Sequence, residues 1–208
     1  MIYLSSYAIF VSEMSVFRAF IAVNLSPDVL DRISQVVIEL REEIGGSFVR
    51  WVPVENMHLT LKFLGDVSIS NVERIKEIIQ TAASSHPLFA LSTGGVGAFP
   101  SVQRARVIWA GVEGPPTITS VQRMIDMETA RLGYASEKRA FKPHLTLGRV
   151  SRNVTPKELQ KIAQVLKDNK VGFLGVSQIR EIHLFRSDLG QNGAVYSQVF
   201  TASLAEKK

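Results

Sequence analysis

Two spacings of apolar residues alternate along this chain, one of period two and one near 3.6. The run Phe17-Arg18-Ala19-Phe20-Ile21-Ala22-Val23 reads as a strand. Ser26-Pro27 then opens a helix, with proline at its first position. Leu30, Ile33, Val37, Leu40 and Ile44 make its apolar stripe, and Gly45 ends it. His58-Leu59-Thr60-Leu61 returns to alternation and predicts a strand. A helix with Ile75, Ile78, Ile79 and Ala82 as its stripe follows, opened near Ser70 or Asn71.

The second half repeats this order. Ala105-Arg106-Val107-Ile108-Trp109-Ala110-Gly111 is the strand. The next helix opens near Thr117 or Thr119, with Gln122 placed for a capping box, and stops at Gly133. His144-Leu145-Thr146-Leu147 matches the earlier word 86 residues on. Leu159, Ile162, Ala163 and Leu166 form the last stripe, behind a cap at Thr155. Offsets between the halves run 88, 86 and 84, so Arg18 aligns with Arg106 and Ala22 with Ala110. The chain reads as two copies of strand–helix–strand–helix–strand. The expected fold class is α+β, a two-lobed duplicated fold. Each lobe is an antiparallel sheet with helices on its outer face, and the repeated strands line a central cleft.

Composition sets bounds. The 208 residues are 46% hydrophobic, enough for one substantial core or two small lobes. Cysteine is absent, which excludes disulfides, thiol nucleophiles and cysteine-based zinc sites. The net charge of +5 suits an anionic partner such as RNA. Residues 1–13, MIYLSSYAIFVSE, are apolar but too short to cross a bilayer and lack a basic leader. They read as a non-essential extension before a single domain over 14–208, and the expected location is cytoplasmic. Gly94-Gly95-Val96-Gly97 lacks the spacing of a phosphate-binding loop and reads as a turn.

The repeated word carries the chemistry. On a strand, side chains two apart share a face. His58 and Thr60 then share one face, as do His144 and Thr146, while the leucines enter a core. Such a strand is ordinary β sequence when it occurs once. Two copies in matching positions point to a cleft with two proton-transfer groups and two hydroxyls. That set can open a phosphate ester without a metal, because imidazole titrates near neutrality. Two histidines with no carboxylate at ligand spacing make a poor divalent site. No cofactor is expected.

Parity selects further candidates for binding an anionic substrate. Lys62 shares a face with His58, and Lys142 shares one with His144. Arg149 has the opposite parity but ends the strand. Arg18 and Arg106 are repeat-related and within reach of an RNA backbone. Phe20 and Trp109 read as core residues, His86 as an exposed loop residue and His183 as structural.

FRAFIAV, HLTLKFLGDV, RVIWAG and KPHLTLGRV together resemble the 2H phosphoesterase superfamily, and more closely its RNA 2′,3′-cyclic phosphodiesterase branch, the LigT-type or 2′-5′ RNA ligase family. The resemblance runs from Met14 to the C-terminus. It implies opening of a 2′,3′-cyclic phosphate at an RNA 3′ end to a 2′-phosphomonoester, with weak reversible 2′-5′ ligation in some members. It implies His58 as proton donor and His144 as proton acceptor. Thr60 and Thr146 are then expected to donate hydrogen bonds to the non-bridging phosphate oxygens; from the sequence itself no membrane association is expected and no obligate protein partner is evident. Two alternatives stay open: a hydrolase of a small cyclic nucleotide phosphate, and an RNA-binding module with little turnover.

Overall fold

A computed structural model describes residues 16–190 and 193–206. The extension at 1–13 lies outside the described residues. The strands are β1 Val16–Val23, β2 Val49–Trp51, β3 Leu59–Ser68, β4 Phe89–Phe99, β5 Val107–Glu113, β6 His144–Val150, β7 Phe173–Ile179, β8 Glu181–Gly190 and β9 Gly193–Ser203. The helices are α1 Pro27–Ile44, α2 Ile69–Ser84, α3 Pro116–Arg131 and α4 Pro156–Asp168.

The strands form two antiparallel sheets, one in the order β3-β1-β8-β9 and one in the order β2-β6-β5-β4-β7. Helices α2 and α3 cover the first sheet; α1 and α4 cover the second. The helices are therefore exchanged between halves. α1 leaves β1 in the first sheet and packs on β7 in the second, whereas α3 leaves β5 in the second sheet and packs on β3 in the first. This corrects the simple picture in which each copy builds its own lobe.

Helix limits follow the local signals. α1 begins at Pro27 and is closed by Gly45, which adopts φ 62 and donates its N–H to the Arg41 carbonyl. Val29, Ile33, Val36, Leu40 and Ile44 are its buried face. Thr155 and Glu158 form a complete capping box at α4. No such box forms at α3, because Pro115 is its N-cap and Thr119 lies inside the helix. The glycine-rich run 94–97 is not a turn but the middle of β4, bulged at Gly95 with φ 64.

A short link carries the chain from one sheet to the other. β2 lies on the edge of the second sheet beside β6; one 3-10 turn at Val54–Asn56 follows, and β3 then edges the first sheet. This path brings the two repeated strands, β3 and β6, against each other.

Candidate active site

Both repeated strands carry the same irregularity. In the first sheet Ala22 pairs with Thr60 and Ile21 with Lys62, so Leu61 is skipped. In the second, Trp109 pairs with Thr146 and Ile108 with Gly148, so Leu147 is skipped. A bulge of this kind lets two successive residues point the same way and reverses parity beyond it. Leu61 and Lys62 are both buried, and so are Leu147 and Gly148. Phe63 and Arg149, next in line, are exposed on the cleft side.

The bulge overturns two parity expectations. Lys62 does not face the cleft. It is 5% exposed on the helix side, where its ammonium donates to the Asp126 carboxylate on α3 and to the Ala135 carbonyl. Burial pushes the Asp126 carboxyl up, but the hydrogen bonds from Lys62 and the Glu137 N–H outweigh it and leave it below its ordinary value. Arg149, conversely, turns to the cleft face. There it stands opposite Arg50 of β2, a residue that sequence parity did not single out.

The ladder pairing also sets the repeat one residue away from the sequence offset. The counterpart of Ala22 is Trp109, not Ala110, since these are the residues paired with the two threonines. Arg106 therefore has the parity of buried Ile108, and its guanidinium donates to the Ser151 carbonyl at 3.1 Å. Arg18 is exposed on β1, across from Asp66 and Ser187. The two arginines do not form a symmetric pair.

His58 sits in an aromatic cage. Its ring stacks on Phe20 with centroids 4.5 Å apart, lies 5.7 Å from Phe185, and meets the edge of Tyr196 at 5.3 Å. Phe20 is buried, as expected of a core residue, but it lies on the cleft face under His58 and not among the core side chains of Ala19 and Ile21. Tyr196 arrives because the β8–β9 hairpin arches over this face, held by a 3.0 Å hydrogen bond from Asn56 Nδ2 to the Ala194 carbonyl. Burial lowers the His58 pKa from 6.5 to about 4.

His144 is held differently. Its Nδ1 lies 2.6 Å from the Lys142 carbonyl, which can only accept, so Nδ1 carries the proton and Nε2 keeps a free lone pair. The expected cation Lys142 thus contributes a backbone acceptor, while its side chain is exposed. Phe99 meets the His144 ring edge-on at 4.9 Å and Trp109 at 5.4 Å. Trp109 is a cleft residue, not a core one. Its indole lies over Gly97, where a Cβ would stand 2.4 Å from the ring. Among the described residues, the hydroxyls of Thr60 and Thr146 and the ring nitrogens of His58 have no hydrogen-bond partner.

The other two histidines are structural. His86 is not a free loop residue: Nδ1 donates to the Ala82 carbonyl at 2.7 Å, and Nε2 accepts from Ser120 Oγ at 2.9 Å, joining α2 to α3. His183 is buried against Thr201, 2.9 Å from its hydroxyl. Burial lowers the His183 pKa, and the carboxylate of Glu181 opposes the shift only in part.

The chain is similar to known proteins in sequence and in fold. An RNA 2′,3′-cyclic phosphodiesterase of Methanothermobacter thermautotrophicus is 35% identical over 182 residues, 88% of this chain and 96% of its own. A protein of the same name from Archaeoglobus fulgidus is 31% identical over 88% of this chain and 97% of its own. The fold matches Escherichia coli LigT, crystallised with 3′-AMP, with a TM-score of 0.72 at 24% identity over 92% of this chain and all of that one. A Thermus thermophilus structure matches with a TM-score of 0.76 at 22% identity over the same shares. The model of the LigT-like phosphoesterases matches twice, over residues 23–109 and 112–196, once for each bulged His-x-Thr strand, and the chain belongs to that family.

Proposed function

We propose that this protein hydrolyses 2′,3′-cyclic phosphate at RNA 3′ ends to a 2′-phosphomonoester, using His58 and His144 as an acid–base pair. The observation that carries the proposal is the doubled, identically bulged His-x-Thr strand, in which, among the described residues, both threonine hydroxyls, both His58 nitrogens and His144 Nε2 have no hydrogen-bond partner. The names and coverage of the archaeal relatives support the same activity.

Water attacking phosphorus must lose a proton, and the departing 3′ oxygen must gain one. His144 suits the first task, since its Nε2 lone pair is exposed and its tautomer is set by the Lys142 carbonyl. His58 is neutral at rest because of its cage. A phosphate anion seated beside it favours the imidazolium, so its proton arrives with the substrate. An acid that is weakly basic in its apolar surroundings gives that proton up readily to the leaving oxygen. Thr60 and Thr146 donate to the non-bridging oxygens, where charge builds in the transition state. With the 5′ hydroxyl of a second RNA in place of water, the same pair would perform the weak 2′-5′ ligation: His144 takes the hydroxyl proton as P–O5′ forms, P–O3′ breaks, and His58 gives its proton to the 3′ oxygen.

The test is incubation with an RNA ending in 2′,3′-cyclic phosphate, with and without a chelator. The expected product is a 2′-phosphate, formed at the same rate in both. A 3′-phosphate product, or no turnover, overturns the reading.

A further inference from the structure

The far end of the β8–β9 hairpin has no third strand. β1 pairs with β8 from Ala22↔His183 to Arg18↔Ser187 and stops there. β8 and β9 pair on without it, through Asp188↔Val195 and Leu189↔Ala194 to Gly190↔Gly193. None of residues 188–190 and 193–195 is buried, and Leu189 and Val195 are 76% and 61% exposed. Two strands that bury no face of their own are marginal in water and open readily. Among the described residues, one side-chain hydrogen bond reaches this segment from outside the hairpin, from Asn56 Nδ2 to the Ala194 carbonyl at 3.0 Å. Asn56 lies two residues before His58, and Ala194 lies two before Tyr196. The contacts therefore close a ring: Asn56 to Ala194, along β9 to Tyr196, and from the Tyr196 ring back to His58 at 5.3 Å. Asn56 is itself fixed at the end of the turn that links the two sheets, where its N–H donates to the Pro53 carbonyl at 2.9 Å.

We propose that Asn56 is a positioning residue for the acid–base pair: it latches the free end of the hairpin beside His58 and so holds the Tyr196 ring against the imidazole. This rests on the acid role proposed above for His58. Asn56 acts through Tyr196 and not on the reacting atoms. With the latch made, water is kept from one edge of the imidazole; with it broken, the hairpin end is free to swing out and wet that edge. One net hydrogen bond shifts such a balance by about fivefold. Burial is the one cause of the lowered His58 pKa, and no charged group contributes to it. Of the titratable groups, Tyr196 meets the His58 ring, and His183 lies against Phe185. A rise in the His58 pKa on losing the latch therefore reports water entering the cage and not a change in neighbouring charge.

The experiment compares wild type, Asn56→Ala, Tyr196→Ala and the double variant. Hydrogen exchange over residues 193–198, read by mass spectrometry on the free proteins, should be about fivefold faster in Asn56→Ala. NMR titration of the same variant should move the His58 pKa up from about 4 and leave His183 where it is. In the Tyr196→Ala background, Asn56→Ala should move His58 no further, because the latch works through that ring. Turnover of an RNA with a 2′,3′-cyclic end should fall about fivefold in Asn56→Ala. A substrate whose bridging 3′ oxygen is sulfur, which leaves without a proton, should escape that loss. Unchanged exchange or an unchanged His58 pKa in Asn56→Ala overturns the latch. So does an equal further shift in the Tyr196→Ala background, or an equal loss on both substrates. If wild type opens no cyclic phosphate, the activity itself fails, and exchange and titration of the free proteins still decide the latch.

Discussion

His58 lies nearly parallel to Phe20, their ring centroids 4.5 Å apart and their planes 17° from coplanar. The stack, closed by Phe185 and Tyr196, keeps the imidazole neutral near pH 7. An NMR titration of the free protein is expected to give His58 a pKa of about 4. Tyr196→Ala removes one wall and moves the value up toward 6.5. An unchanged value in that variant would mean that the hairpin contributes nothing to the cage.

The same shift makes stability depend on pH. Unfolded His58 takes up a proton near pH 6.5, but folded His58 does so only near 4. Its contribution is complete above about 6.5, is lost as pH falls from there to about 4, and is level below. The loss amounts to about 3 kcal/mol. His183, lowered in the same direction, adds to it. Urea unfolding at pH 7 and 4.5 should show a smaller difference for His58→Phe than for wild type. Equal differences would sink this assignment.

Single-residue kinetics test the acid–base pair. His58→Ala and His144→Ala are each expected to lower turnover by roughly 10²–10⁴. Their roles separate with a substrate whose bridging 3′ oxygen is sulfur, a group that leaves without a proton. That substrate should restore turnover to His58→Ala and not to His144→Ala; the opposite pattern reverses the roles. Thr60→Val and Thr146→Val should each lower kcat/KM by roughly 10- to 150-fold, the value of a hydrogen bond to a charged group.

Lys62 and Asp126 join the first repeated strand to a helix of the other half. Lys62→Met leaves a carboxylate without its partner at a largely buried site, a loss of about 3 kcal/mol. Lys62→Met combined with Asp126→Leu should recover most of it, read as the denaturation midpoint. If the double variant were no better than the single, the packing of Lys62 and not its charge would be what matters.

Gly97 has no room for a side chain because the Trp109 ring lies over it. Gly97→Ala should displace the indole from beside Phe99 and His144, lower kcat/KM, and quench or shift tryptophan fluorescence. A normal rate with an altered spectrum would take Trp109 out of the site.

Element order, the duplicated unit and the His-x-Thr faces were legible because each rests on local period and capping. Thr155-x-x-Glu158 and Ser26-Pro27 announce their helices outright. The bulge at Leu61 and Leu147 was not legible. Its pattern, two buried residues in succession, reads as Leu-Lys in one half, and a lysine suggests solvent. Partners far along the chain, the Asp126 carboxylate 64 residues away and the Ala135 carbonyl, explain its burial. The unrecognised bulges misplaced Lys62 and reversed the parity of Arg149; the Arg18–Arg106 match failed separately, because the ladders set β1 and β5 one residue off the sequence offset. Phe185 reaches His58 from the neighbouring strand β8, paired with Phe20, and Tyr196 from the edge strand β9; these pairings over more than 120 residues leave no local periodic trace.

The exchange of α1 and α3 between the sheets interlocks the two halves of the chain. Each sheet takes one of its two covering helices from the other half, so neither lobe should melt and leave the other standing. Heating should give one calorimetric transition, with van't Hoff and calorimetric enthalpies in agreement. A chain severed between β4 and β5 should yield fragments that are unfolded apart and regain structure when mixed. His58 and His144 are thereby ordered together or not at all, and a partly unfolded molecule would carry neither half of the proposed acid–base pair.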